Sequence, residues 1–120
     1  MSALTLTLKY RPDQRVDMSP LVCQVLQDKE PAEIAAIELQ SGKRKLRVDE
    51  LFNLSGSDTH IIIIKNSFDK LDFIGKGLDG GTISVEGDAG AYLGLGMLSG
   101  EIKVTGSAGL YAGCEMKKGY

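Results

Sequence analysis

No charge of one sign dominates this chain: 14 lysines and arginines stand against 16 aspartates and glutamates, a formal charge of −2. Neither a nucleic acid nor an anionic membrane surface is favoured as a partner by such a balance. Long hydrophobic runs are also lacking. The longest uninterrupted aliphatic stretch, Ile61 to Ile64, is far short of a bilayer span, and the opening "MSALTLTLKY" has no basic leader of the kind a secretory signal carries. Cysteine is scarce. Cys23 and Cys114 stand in dissimilar contexts, which argues against a disulfide framework. The expectation is a soluble cytoplasmic protein. His60 is the single histidine, so no zinc, haem or iron–sulfur ligand set can be assembled from spaced imidazoles and thiols. A Ser-His-Asp arrangement would depend on that one imidazole, at the edge of an apolar strand, where a plain strand-end histidine is the favoured reading.

What the chain does have is unevenly placed. Its 120 residues suffice for one domain with a modest core. Of the 15 glycines, all but Gly42 and Gly56 fall between Gly75 and Gly119. Residues 1–58 therefore read as a mixed α/β lead-in and 59–120 as a glycine-rich repeat region. In the lead-in, Leu4, Leu6 and Leu8 alternate with Thr5, Thr7 and Lys9, the period of a half-buried strand. Ser19 and Pro20 predict an N-cap and first helical residue for a short helix through about Leu26. Pro31 opens a second short helix through about Ala36, Gly42 marks a turn, and "KLRV" reads as a strand. Asp49 is expected to cap one helical turn around Leu51 and Phe52.

The second region repeats. Gly75, Gly94 and Gly113 are 19 residues apart, and at that offset Leu78, Met97 and Met116 coincide, as do Gly81, Gly100 and Gly119. Ile83 falls on Ile102, Val85 on Val104, Gly87 on Gly106 and Gly90 on Gly109, while Phe73, Tyr92 and Tyr111 form an aromatic set. A more degenerate earlier unit puts Ile62, Ile64 and Asn66 where later units have Ile, Val and Gly. Each unit holds one strand, and the glycines between strands leave no room for a crossover helix. The chain must return by short bends and lay the next strand parallel to the last. This predicts a mainly β fold: a right-handed parallel β-helix with coils of about 19 residues. Glycines supply corners through positive φ or through close packing without a Cβ. Ile83, Val85, Ile102 and Val104, with Leu78, Met97 and Met116, form the interior ladders and are expected to be buried.

Several stretches imitate functional motifs. "GKGLDG", Gly75 to Gly80, matches the glycine spacing of a dinucleotide loop, but that loop must open a helix, and "GTISVEG" follows as a strand. Asp88 in "GDAG" lacks the order of a calcium repeat, since its repeat partner is Ser107, and a surface turn is favoured. Cys114 occupies a position that tolerates Lys76 and Leu95, so a packed or idle thiol is favoured over a reactive one. The basic run "KRKLR", Lys43 to Arg47, is open to two readings, a solvated strand face and a patch for a phosphate or an acidic partner surface. No catalytic, cofactor-binding or metal-ligating residue is assigned.

The segments "GKGLDGGTISVEGDAG" and "GLGMLSGEIKVTGSAG" give the pattern G-x-x-M/L-x-x-G-x-I-x-V-x-G-x-x-G. It resembles the repeats of the C subunit of formylmethanofuran dehydrogenase and of the related bacterial formyltransferase/hydrolase complex. The glycine-repeat β-helix in the C-terminal domain of the glutamate synthase large subunit is similar. The lead-in, with "AEIAAIEL" and "VDELFNLSG", resembles that of the C subunits, and the opening "LTLTLKYRPDQRVDMSPL" leans toward the bacterial complex. The resemblance implies a role in one-carbon metabolism as an assembly subunit without a catalytic site. Sister subunits, above all an amidohydrolase-like one, would carry the methanofuran-type formyl carrier and the metal: zinc, or molybdenum or tungsten in the dehydrogenase form. The end at "KKGY", where the repeat calls for Ile-x-Val, is expected of a sequence that continues. Two other readings stay open. One is a glutamate synthase-type spacer, which a flavin-binding synthase domain upstream would mark. The other is a freestanding β-helix acyltransferase or lyase, disfavoured by the 19-residue period and by Glu86 aligning with Thr105.

Overall fold

A computed structural model describes residues 3–106. Strand β1 (Ala3–Leu8) buries Leu4, Leu6 and Leu8 and turns its threonines outward, because alternate side chains of a strand face opposite ways. It lies between β5 (Phe52–Ser55), which is antiparallel to it, and β6 (Asp58–Ser67), which is parallel. Beyond β6 come β8 (Asp79–Gly87) and β9 (Ser99–Val104), both parallel, in a sheet ordered β5-β1-β6-β8-β9. A second sheet is ordered β4-β3-β2-β7. It contains the hairpin of β3 (Glu38–Ser41) and β4 (Arg44–Arg47) and the parallel pair β2 (Val16–Asp17) and β7 (Leu71–Asp72). The architecture is mainly β with mixed sheets.

Register explains why the core is continuous. Leu4, Ile62, Ile83 and Ile102 lie side by side across β1, β6, β8 and β9, and Leu6, Ile64, Val85 and Val104 form the next row. All are buried except Val104, which is half-buried and packs against the cluster, a departure from the expectation that it would be fully enclosed. Each buried aliphatic side chain in these rows contributes roughly 1.5 to 3 kcal/mol. The segments between strands stack as well. Phe73 N–H donates to Ala91 O at 3.0 Å, Gly77 to Leu95 O at 2.8 Å and Leu98 to Leu78 O at 2.8 Å, while Gly94 N–H donates to Ile74 O at 2.8 Å. Backbone groups in the bends are thus satisfied by the neighbouring unit rather than by a helix, and no helix lies between Gly87 and Gly100.

The helices are short. Helix α1 is Cys23–Leu26, not a helix from Pro20. The Asp17 carboxylate accepts the Ser19 N–H at 2.9 Å, and Leu21 N–H donates to Met18 O at 3.0 Å; this Asx turn occupies Ser19 and Pro20 and delays the helix. Helix α2 spans Pro31–Ala35 and opens at the proline, with Glu33 accepting the Glu30 N–H at 3.2 Å. Helix α3 is Val48–Leu51, starting two residues ahead of expectation, so Val48 is helical rather than in a strand and Phe52 begins β5. Its cap is at Arg47, whose N–H donates to Glu50 at 3.0 Å, while Asp49 binds the Arg47 guanidinium. The Gln24 amide fixes α1 to the sheet by donating to Gly77 O at 2.7 Å and accepting the Asp79 N–H at 3.2 Å. No helix among the described residues is long and apolar enough to cross a membrane.

Candidate functional site

Around the interior rows the repeat residues fall into two physical groups. Gly75, Gly81, Gly87, Gly94 and Gly100 have positive φ. Gly90 and Gly106 do not; there a Cβ would run into the Asp72 and Asp88 carboxylates and the neighbouring backbone, so closeness alone demands glycine. Leu78, Met97, Ile83, Val85 and Ile102 are buried. Met116, Gly109, Gly113, Gly119 and Cys114 lie outside the described residues. At the degenerate unit, a bulge puts Ser67 rather than Asn66 opposite Gly87, and Asn66 takes a φ of 62°. Phe73 and Tyr92 share a φ of 60° and stack with ring centroids 5.2 Å apart, the repeat being written in both backbone and ring.

The residues with chemical potential are scattered. His60 sits exposed in β6, its backbone N–H donating to the Asp58 carboxylate at 3.0 Å. Among the described residues no group of three or more His, Cys, Asp or Glu is placed to hold a metal ion. Strand β8 begins at Asp79, within "GKGLDG", leaving no helix N-terminus to receive a pyrophosphate. Asp88 is exposed in the bend after β8. Cys23 is buried under Gly81, and burial pushes its thiol pKa up. The thiolate is the reactive form. In a Cys114→Ser background, Cys23 is therefore expected to resist iodoacetamide at pH 8 in the native protein and to react fully in guanidinium, read by peptide mass; equal rates in both would contradict the burial.

Sequence reasoning missed one ionic cluster. Arg15 reaches across to Asp72, Nε at 2.6 Å and Nη2 at 2.8 Å, and Asp72 also accepts the Ala91 N–H at 2.8 Å. The hydrogen bond to Asp72 raises the Arg15 pKa above its ordinary value. These partners are 57 residues apart in sequence, and no local pattern announces them. The basic run of β4 was legible, but not the segment it faces: the Tyr10–Gln14 loop forms the opposite wall of a cavity of about 440 Å³.

No protein-family model matches the chain. The C subunit of the tungsten-containing formylmethanofuran dehydrogenase 2 of Methanococcus maripaludis is 36% identical over 94 residues, covering 77% of this chain and 35% of the relative. The C subunit of the formyltransferase/hydrolase complex Fhc of Methylorubrum extorquens is 37% identical over 86 residues, covering 70% of this chain and 32% of the relative. The chain thus spans about a third of the length of the curated relatives it matches. Among solved structures, a chain of the Methylorubrum extorquens formyltransferase/hydrolase complex FhcABCD, crystallised with methylofuran, superposes with a TM-score of 0.87 at 36% identity. That match covers 96% of this chain and 43% of the other. With the glycine-bounded parallel ladder already in place, these likenesses make the chain a homologue of the C subunits of formylmethanofuran dehydrogenase and of the Fhc formyltransferase/hydrolase complex.

Proposed function

We propose that this chain serves as part of the C subunit in such a complex, as an assembly element rather than a catalytic one. The observation that carries the reading is the superposition of nearly the whole chain on a component of FhcABCD. The composition of the repeats supports a structural role, since the residues that recur are corner glycines and interior aliphatics. Neither class transfers protons or binds a formyl group. In this reading the stacked units of residues 59–120 are coils of a right-handed parallel β-helix, and residues 1–58 are a lead-in that docks β1 on its first coil. An amidohydrolase-like sister subunit is the partner, and the formyl carrier and the metal are held by sister subunits. The complex works in the cytoplasm in one-carbon metabolism.

Co-expression of the tagged chain with the sister subunits of its own source tests this. The chain is expected to co-purify with them and to release no formate from a formylated carrier by itself. Turnover by the isolated chain would overturn the assembly role, and failure to retain any sister subunit would overturn the assignment to the complex.

A further inference from the structure

The cavity between the Tyr10–Gln14 loop and the β3–β4 hairpin is unused by the function proposed above, and its chemistry is specific. Tyr10, Arg11 and Gln14 line one side, with Ser41, Arg44 and Leu46 on the other. A second cavity of about 330 Å³ shares Gln14, Ser41 and Arg44 and adds Lys43, so the two form one trough passing the hairpin tip. The trough is far larger than a single carboxylate or phosphate requires.

Its charge runs against that of the chain. The protein as a whole is acidic at −2, yet Arg11, Lys43 and Arg44 line the trough with Asp13 as the one carboxylate among its lining residues. Elsewhere arginine is neutralised: Arg15 is paired with Asp72 and Arg47 with Asp49. Among the described residues, Arg11, Lys43 and Arg44 take part in none of the ion pairs. Cations around a concavity that hold no carboxylate are available to an anion without first breaking a native ion pair.

Both walls are also fixed in advance. Lys70 Nζ donates to Asp13 O at 2.7 Å and Arg15 Nη2 to Asp69 O at 2.8 Å, holding the loop against the second sheet. The Arg11 guanidinium lies 5.5 Å from the centroid of the Phe68 ring, which orients it. On the hairpin side, Gln40 Nε2 donates to Gly42 O at 2.7 Å and to Arg44 O at 3.2 Å. Preorganised walls lower the entropy lost on binding.

We propose that this trough binds an acidic peptide segment in extended form, with successive carboxylates taken by Arg11, Arg44 and Lys43. Arg11 lines the first cavity, Lys43 the second and Arg44 both, and cations distributed over the two cavities favour a chain bearing several carboxylates over a small inorganic anion. The inference is independent of the subunit assignment, because it rests on loop and hairpin geometry alone.

The test is fluorescence anisotropy with a fluorescein-labelled hexapeptide of alternating aspartate and glutamate, titrated with the full 120-residue chain. Saturable binding is expected, weakening as salt rises from about 20 mM to about 200 mM. Arg11→Gln and Arg44→Gln should each reduce affinity roughly fivefold or more, with melting temperatures unchanged. Lys103→Gln, on β9 away from the trough, should leave binding unaltered. Three results would overturn the proposal: no saturable binding, an equal loss from Lys103→Gln, or displacement of the peptide by an equal concentration of inorganic phosphate. The last would assign the trough to a small anion instead.

Discussion

Replacing Gly100 with valine is expected to lower the melting temperature by about 10 °C or more. Gly100 lies in β9 with a φ of 93°, outside the region open to β-branched residues. A Cβ there would also sit 2.6 Å from the carbonyl oxygen of Gly81 and 3.0 Å from the carbonyl carbon of Gly80. Both are backbone atoms of β8, so relief requires moving one strand against the other and disturbing the Ile83–Ile102 pairing. The conformational cost is about 1 to 2 kcal/mol and the overpacking about 1 to 3 kcal/mol more. Gly96 separates the two causes: its φ is 67°, but among the described residues no atom lies within 4 Å of its Cβ position beyond its own chain neighbours. Gly96→Ala is expected to cost only about 1 kcal/mol. Differential scanning calorimetry of both variants decides the matter. A Gly100→Val protein melting within about 2 °C of the parent would remove the strained corner from the account, and an equal cost at Gly96 would remove the contact with Gly81.

The part of the fold that sequence disclosed is the part that repeats. An offset of 19 residues relating Ile83 to Ile102 and Val85 to Val104 is also the register of β8 on β9, because a parallel ladder places like on like. Alternation in "LTLTL" announced a half-buried strand but not its neighbour; β1 lies beside β6 and carries the interior rows into the lead-in. Periodicity describes one strand's two faces and is silent about its edges. The bulge at Asn66 and Ser67 was hidden for a related reason, since an inserted residue shifts register without changing composition. Helix α1 was placed too early because an Asx turn at Asp17 uses the same small polar residues as an N-cap. As for the candidate site, the basic run 43–47 was visible, whereas the opposing Tyr10–Gln14 wall depends on a loop that packs across a sheet. Such a pairing is tertiary and leaves no trace in local spacing.

The Arg15–Asp72 pair is the other place where tertiary structure concentrates energy on residues of unremarkable sequence. Asp72 sits in β7 with its side chain 11% exposed, while that of Arg15 is 54% exposed. Removing the arginine therefore leaves a buried carboxylate with the Ala91 N–H, 19 residues ahead, as its remaining donor among the hydrogen bonds described above. Removing the aspartate instead releases an arginine that water can reach. The two deletions should not be equivalent. Arg15→Ala is expected to cost about 2 kcal/mol, below the 3 to 5 kcal/mol of a fully enclosed pair because the open side admits some water. Adding Asp72→Asn to that variant should recover about 1 kcal/mol, since the neutral amide no longer carries an unpaired charge and its oxygen still accepts from Ala91. A double-mutant cycle by urea unfolding measures both steps. If Arg15→Ala and the double variant unfold at the same midpoint, the buried charge is not what the arginine compensates. If Arg15→Ala itself is neutral, the clamp between the lead-in strand β2 and the repeat strand β7 rests on their backbone pairing, Val16 with Leu71 and Asp17 with Asp72, and the ion pair only decorates it.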